Sequence, residues 1–230
     1  MRRSTANPWY STRLKEVHDA SERSDIVHQA NRVWTASLGA RETIVESYLR
    51  SRGLGLGWTG DIRYSKNYHA MASAIRDVRG QLQGVHLTFF GPDGKIERDR
   101  QGHKTCRVIG ILKGGFVNLG VPTSDKRIIV GEGVETVLSA LTLSATGILS
   151  GIAGLGTYGL GNLPLMRHWE EIVIAADNDK YGRSAARKLV RRLKVSHVRR
   201  MVTVAQPPMP GTDWNDVLKD MQAVHSSHAA

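Results

Sequence analysis

Two uninterrupted apolar runs, each breaking into an acidic loop and then a helical pattern, organise the second half of the chain. Ile128, Ile129 and Val130 form a β-branched run that ends at Gly131 and Glu132, and residues 172–176 form another that ends at Asp177 and Asp179. Runs without polar alternation suit strands covered on both faces, as in a parallel sheet. After the first run Val134, Val137, Leu138 and Leu141 recur at helical spacing; after the second Ala185, Ala186, Leu189, Val190 and Leu193 do so. Strand, loop and helix thus occur twice, which predicts an α/β fold with a parallel sheet. Further on, MVTVA reads as a strand and QPPMPG as a turn, and Asp213 through Asp216 open a short helix that Asp213 can cap.

Upstream the pattern is less regular. Residues 85–90 (VHLTFF) and 95–98 are extended runs on either side of GPDG, a favourable hairpin turn. Residues 70–79 admit either a strand or a short helix. The expected organisation is a polar N-terminal helical arm at 1–32, a smaller α+β unit at 33–122 that ends in the turn-rich VPTSD, a parallel-sheet domain at 123–222, and a tail at 223–230. The glycine-rich stretch around Gly154, Gly156 and Gly159 can be forced into a dinucleotide-binding GxGxxG. Leu163 and Pro164 interrupt the helix that such a motif needs, so the segment predicts a short strand at 147–151 and then a glycine loop near the site.

In open α/β sheets ligands bind beyond the carboxyl ends of the strands, where Glu132, Asp177 and Asp179 fall. Carboxylates gathered there repel one another unless a cation or basic groups offset the charge. Oxygen-only ligands favour Mg²⁺ or Mn²⁺ over zinc. Net charge changes the picture further, at +11 with the densest cluster in RSAARKLVRRLKVSHVRR from Arg183 to Arg200. That run is either the solvated face of an amphipathic helix or a phosphate-binding surface. Its start beside Asp177 and Asp179 favours the second, with Lys180 and Arg183 nearest the metal and Arg187, Arg191 and Arg192 beyond. A single cysteine, Cys106, excludes an intramolecular disulfide and a multi-cysteine zinc site, and the lack of GxxxxGK[ST] gives no support to an ATP-driven motor. No apolar run approaches the roughly 20 residues of a membrane helix, so the expectation is a cytoplasmic protein without membrane contact.

Together, an EG dipeptide after a strand (EGVET), DND about 45 residues on, and a late DWND resemble the Toprim domain shared by bacterial primases, topoisomerases, repair proteins and nucleases. The resemblance spans residues 126–222. It implies that Glu132 is a general acid/base or metal ligand and that Asp177 and Asp179 are the metal-binding pair, with Glu135 and Asp213 weaker matches. The primase form carries an Asp four residues after the Glu; here Thr136 stands there and Glu135 precedes it. This variant, together with YLRSRGL and the segment that follows, resembles primase/helicase proteins of phages and plasmids. The resemblance implies that residues 70–79 are a strand paired with VHLTFF, and that Lys104, Arg107 and Lys113 hold template or incoming nucleotide. It implies a DNA primase core that joins ribonucleoside triphosphates on single-stranded DNA with Mg²⁺ or Mn²⁺, completed by a separate helicase or zinc-binding subunit. Two alternatives stay open: a metal-dependent nuclease, and a noncatalytic nucleic-acid or partner-binding module with a degenerate Toprim site.

Overall fold

A computed structural model describes residues 20–55, 60–121, 126–196 and 198–228, and it folds the chain around two five-stranded sheets. The upstream sheet runs β1 (Leu38–Gly39), β2 (Ile62–Ser65), β3 (Ala70–Arg76), β4 (Leu82–Phe89), β5 (Cys106–Gly110), with antiparallel neighbours throughout. The ambiguous segment at 70–79 is therefore a strand, and it pairs with VHLTFF. Side chains alternate across the pleat. The pairs Ala72↔Leu87 and Ala74↔Val85 put one face against helix α1 (Ala20–Thr35), where Ala30 and Trp34 are buried. The expected arm is thus a packed layer of the upstream unit from Ala20 onward; its first 19 residues lie outside the described residues. The run at 95–98 forms no named strand and contributes only the isolated bridges Phe90↔Ile96 and Arg98↔Lys104, with the turn closed by the Gly91 N–H on the Lys95 carbonyl.

The second sheet has the order β10 (Met201–Ala205), β9 (Glu171–Ala175), β7 (Arg127–Gly131), β8 (Ser150–Ala153), β6 (Val117–Gly120), parallel except for β6. Both faces are covered, which is why its central strands read as continuous apolar runs. Ile128, Val130, Ile172 and Ile174 pack against α4 (Thr157–Gly161) and α5 (Lys180–Val195), while Ile129 and Ala175 lie on the opposite side, with α3 (Val134–Thr142) and α6 (Trp214–His228). Helix α6 is longer than the short helix expected and continues to His228, into the segment expected to form a tail; residues 229–230 lie outside the described residues. The glycine segment holds β8 three residues later than expected, then a short helix in place of a simple loop. Gly154 and Gly159 touch so closely that a Cβ on Gly159 would lie 1.7 Å from the Gly154 carbonyl oxygen. That approach is packing, with no opening for a dinucleotide.

One grouping differs from expectation. Val117–Gly120, placed by its sequence with the upstream unit, is the antiparallel edge of the second sheet, while the bridge Arg76↔Phe116 just before it joins β3. A single extended segment therefore serves both sheets. At the same junction Asp61, on the upstream side, accepts from Arg76 Nε with both carboxylate oxygens at 2.9 Å, from Arg76 Nη2 at 2.6 Å and from Asn118 Nδ2 at 3.1 Å. Beneath it a common core unites the halves, with Leu49 of α2 (Ile44–Ser51), Ile62, Met71 and Ile75 packed with Val134, Val137, Leu138 and Leu218. Asn215 of α6 donates to the Arg52 carbonyl at 2.7 Å, and Gln222 donates to that of Gly53 at 2.9 Å.

Because the halves share that core, they unfold together. Replacing Leu49, fully buried, by Ala is expected to cost about 2–5 kcal/mol in a single transition. Differential scanning calorimetry tests this: two separated transitions in either protein would contradict a shared core.

Candidate metal and nucleic-acid site

Each acidic side chain is delivered by the end of a strand in the second sheet. Gly131 and Ala175 are register partners at the ends of β7 and β9, so Glu132 and Asp177 emerge side by side. Asp179 follows as the cap of α5, accepting from the Gly182 N–H at 2.7 Å. Gly182 is required there, since a Cβ would sit 2.6 Å from the Asp177 carbonyl oxygen. Asn178, between the two aspartates, knits the β9 loop to the β10–α6 loop. Its side-chain amide donates to the Pro207 carbonyl and its backbone N–H to that of Thr212. That contact carries Asp213 toward Asp177. Asp213 begins α6 in a reciprocal capping box, accepting from the Asp216 N–H at 2.9 Å while Asp216 accepts from the Asp213 N–H at 3.0 Å.

The four carboxylates feel one another. Burial first, then the charges of Asp177 and Asp179, push the Glu132 carboxyl up to about 7. Burial, then Asp213 and Asp179, push Asp177 up to about 6, against a weak bond from the Thr136 hydroxyl at 3.4 Å and the charge of Lys104. Unrelieved repulsion of this kind is what a bound cation removes. The donor set is all oxygen, as Mg²⁺ and Mn²⁺ require, and one oxygen each of Asp179 and Asp213 is committed to a helix cap. No three His, Cys, Asp or Glu side chains meet in metal-holding geometry among the described residues. The arrangement fits an ion held by one or two carboxylates, with its remaining positions filled by water and phosphate oxygens.

Glu135 has a different task. Its carboxylate is buried and accepts from the Lys104 ammonium at 2.6 Å and the Tyr48 hydroxyl at 2.5 Å. These partners overcome burial and bring its pKa down to about 2, while the Tyr48 hydroxyl is pushed far above the tyrosine range. Lys104 thus reaches the site, in an ion pair with Glu135. Behind the pair lies His86, buried, with neither ring nitrogen bonded, beside an equally unbonded Ser73 hydroxyl on the adjacent strand. Tyr48 and His86 carried no local signal in the sequence, because their partners are distant in the chain.

The remaining basic residues divide by what they touch. Arg107 pairs in register with Leu87, which places it on the α1 side of the upstream sheet, away from the carboxylates. Lys113 is exposed on the turn between β5 and β6. Arg183 donates to Asn178, and Arg192 to the carbonyls of Gly161 and Leu163, so both are tied into the fold. Lys188 is likewise bonded to Asn162 and lies over the Tyr158 ring. Lys180, Arg187, Arg191 and Lys194 are exposed and have no protein partner among the described residues. At 3.6 residues per turn these four fall within about 60° of arc and span about 21 Å of α5.

Against this geometry, comparisons with known proteins agree. The family model for the Toprim domain matches residues 127–222, and one for a domain of unknown function (DUF7146) matches residues 24–119. No curated protein sequence matches. Among solved structures, the DnaG primase catalytic domain bound to single-stranded DNA is 18% identical, with 90% of this chain and 81% of that one covered and a TM-score of 0.57. A DNA primase domain from Pseudomonas aeruginosa is 16% identical, with 87% and 77% covered and a TM-score of 0.54. The primase fragment of the bacteriophage T7 primase-helicase protein is 16% identical, with 80% and 72% covered and a TM-score of 0.50. Residues 127–222 form a Toprim domain. From α1 to α6 the chain has the fold of a primase catalytic core.

Neutral burial of His86 has a measurable consequence. Burial, opposed by Glu135 and aided by Lys104, lowers its pKa to about 4. Between the ordinary value of roughly 6.5 and about 4 the unfolded chain takes up a proton that the folded chain refuses, so stability falls as pH drops through that window. The raised carboxyls of Glu132 and Asp177 act with the opposite sign, but equally in any variant that leaves them alone. Urea unfolding at pH 7 and pH 4.5 should therefore show wild type losing about 2–3 kcal/mol relative to His86→Leu. An equal pH response of the two proteins would refute the assignment.

Proposed function

We propose that the chain is a primase catalytic core that joins ribonucleotides on a single-stranded DNA template. The observation that carries this reading is the shared core, which holds a basic upstream unit against the Toprim carboxylates so closely that the charge of Lys104 bears on Asp177. Asp177 and Asp179 would hold Mg²⁺ or Mn²⁺, with Asp213 at the margin; when bound, the ion neutralises triphosphate charge and polarises the attacked phosphorus. Glu132, with a pKa near neutrality, is suited either to join in holding that ion or to take the proton from the 3′-hydroxyl. The exposed cations of α5 lead away from Asp179 and are suited to backbone phosphates without regard to sequence. Arg183 and Arg192 belong to the scaffold in this reading, and Arg107 has no part near the carboxylates. Origin in a mobile element belongs to the same proposal and is supported by the likeness of EGVET and DWND to the motifs of phage and plasmid primase/helicase proteins, and a separate helicase or zinc-binding subunit is the partner proposed with it.

Incubation with single-stranded DNA, labelled ribonucleotides and Mg²⁺ or Mn²⁺ tests the reading. Short oligoribonucleotides are expected from wild type, and none from Glu132→Gln or Asp177→Asn, while both variants bind DNA nearly as wild type does. Shortened template would point to a nuclease, and full activity in either variant would remove that residue from the site.

The α5 stripe is tested separately by salt titration of single-stranded DNA binding. Replacing Arg187, Arg191 and Lys194 by Ala is expected to reduce the slope of log K against log salt by about 2, three lost phosphate contacts at about 0.7 each. An unchanged slope would make the stripe a solvated helix face.

A further inference from the structure

The upstream sheet carries surface chemistry that the carboxylate site does not use. His69 ends the short 3₁₀ turn Lys66–Tyr68 after β2, is exposed, and has φ 47° and ψ 54°, the left-handed region. Among the described residues only Glu42 and Leu155 share a positive φ without being glycine. Leu155 is held there by burial in the shared core, and the Glu42 N–H by a bond to Glu46. His69 has no such reason. Its backbone N–H closes onto Lys66 and its carbonyl accepts from Phe90 N–H at 2.9 Å, bonds that glycine would make equally well.

What glycine could not supply is the ring. The Tyr64 hydroxyl lies 2.8 Å from Nδ1, and the imidazole meets Tyr64 and Phe90 edge-on at 6.1 and 6.0 Å. An exposed ring held in one orientation at a strained backbone position is a preorganised platform. Its location also matters. Phe90 leads edge-on to Tyr48 at 5.7 Å, whose hydroxyl donates to Glu135. Tyr64, paired in register with Met71, lies on the sheet face turned toward the Toprim domain. Lys66, exposed in the same turn, adds a cation.

We infer that His69 and Tyr64 form a stacking subsite for an unpaired nucleobase of single-stranded DNA, with Lys66 on a neighbouring phosphate. This rests on the nucleic-acid reading above and extends it to a place where the template is held. An unpaired base offers a free π face that a duplex has already used, and aromatic stacking accepts any base.

The test compares fluorescently labelled oligodeoxynucleotides of equal length, one with bases throughout and one with abasic positions, binding to the full chain. Wild type should favour the intact oligonucleotide by about tenfold or more. His69→Gly should lose that preference and keep or raise its melting temperature, because glycine relieves the backbone. His69→Asn, which also tolerates the left-handed region without a ring, should behave likewise. A variant that keeps the wild-type preference, or weakens on both oligonucleotides alike, overturns the inference. If wild type binds neither oligonucleotide, the nucleic-acid reading and the subsite fall together; if His69→Gly binds normally while the α5 variant loses salt slope, only the subsite falls.

Discussion

A carboxylate buried between two units needs partners from both, and Glu135 has them. It sits in the first turn of α3, three residues after Glu132, and its two hydrogen bonds come from Tyr48 on α2 and Lys104 ahead of β5. Burial of an ion pair is a weak source of net stability, since desolvation offsets most of the Coulombic gain. Its effect is on geometry: any arrangement of the halves that separated Tyr48 or Lys104 from Glu135 would leave a charge buried and unpaired. The apolar core beneath drives the halves together, and Glu135 narrows the ways in which they can meet. Asp61 does the same at the other end of the interface through Arg76 and Asn118.

That constraint explains why the departure from the usual primase motif is tolerable. The family places a second acid at the position of Thr136; here Thr136 only touches Asp177 weakly, and the acid one residue earlier faces the upstream unit. Moving a carboxylate one position along a helix turns it by about 100°. Glu135 is thereby turned away from the carboxylate cluster and given to the interface. The cluster that remains has less negative charge to offset, and Lys104, held by Glu135, contributes a positive field to it.

How much of this was legible in the sequence depended on range. The doubly covered strands were readable because burial on both faces erases polar alternation, as at Ile128–Val130, and the strand-end acids followed from where such strands stop. Asp213 was readable as a cap because capping is local. The interface was not, because Tyr48 and Glu135 are 87 residues apart and neither lies in a periodic pattern that singles it out. The basic run on α5 was readable as basic, but not as two populations. Only the positions of Asn178 and of the Gly161 and Leu163 carbonyls separate Arg183 and Arg192, which brace the fold, from Lys180, Arg187, Arg191 and Lys194, which do not. The sheet to which residues 117–120 belong was not legible for a similar reason, since an extended segment that passes between two sheets carries the same pattern for either.

The carboxylate cluster and the Glu135 interface also set each other's limits. Glu132 lies on the loop between β7 and α3, and the Gly156 N–H bonds its carbonyl at 3.1 Å, so its backbone is held from the β8 side while α3 is held by Tyr48 and Lys104 from the upstream side. Left alone, the repulsion among Glu132, Asp177, Asp179 and Asp213 would favour protonation or outward movement of the loops that carry them. Movement is resisted because Asp179 and Asp213 are committed to helix caps and Asn178 ties their loops together. The strain is therefore expressed as raised proton affinity in Glu132 and Asp177, the two acids best shielded from water. A fold that holds its acids apart from solvent and unable to retreat keeps in place the repulsion that a cation would relieve.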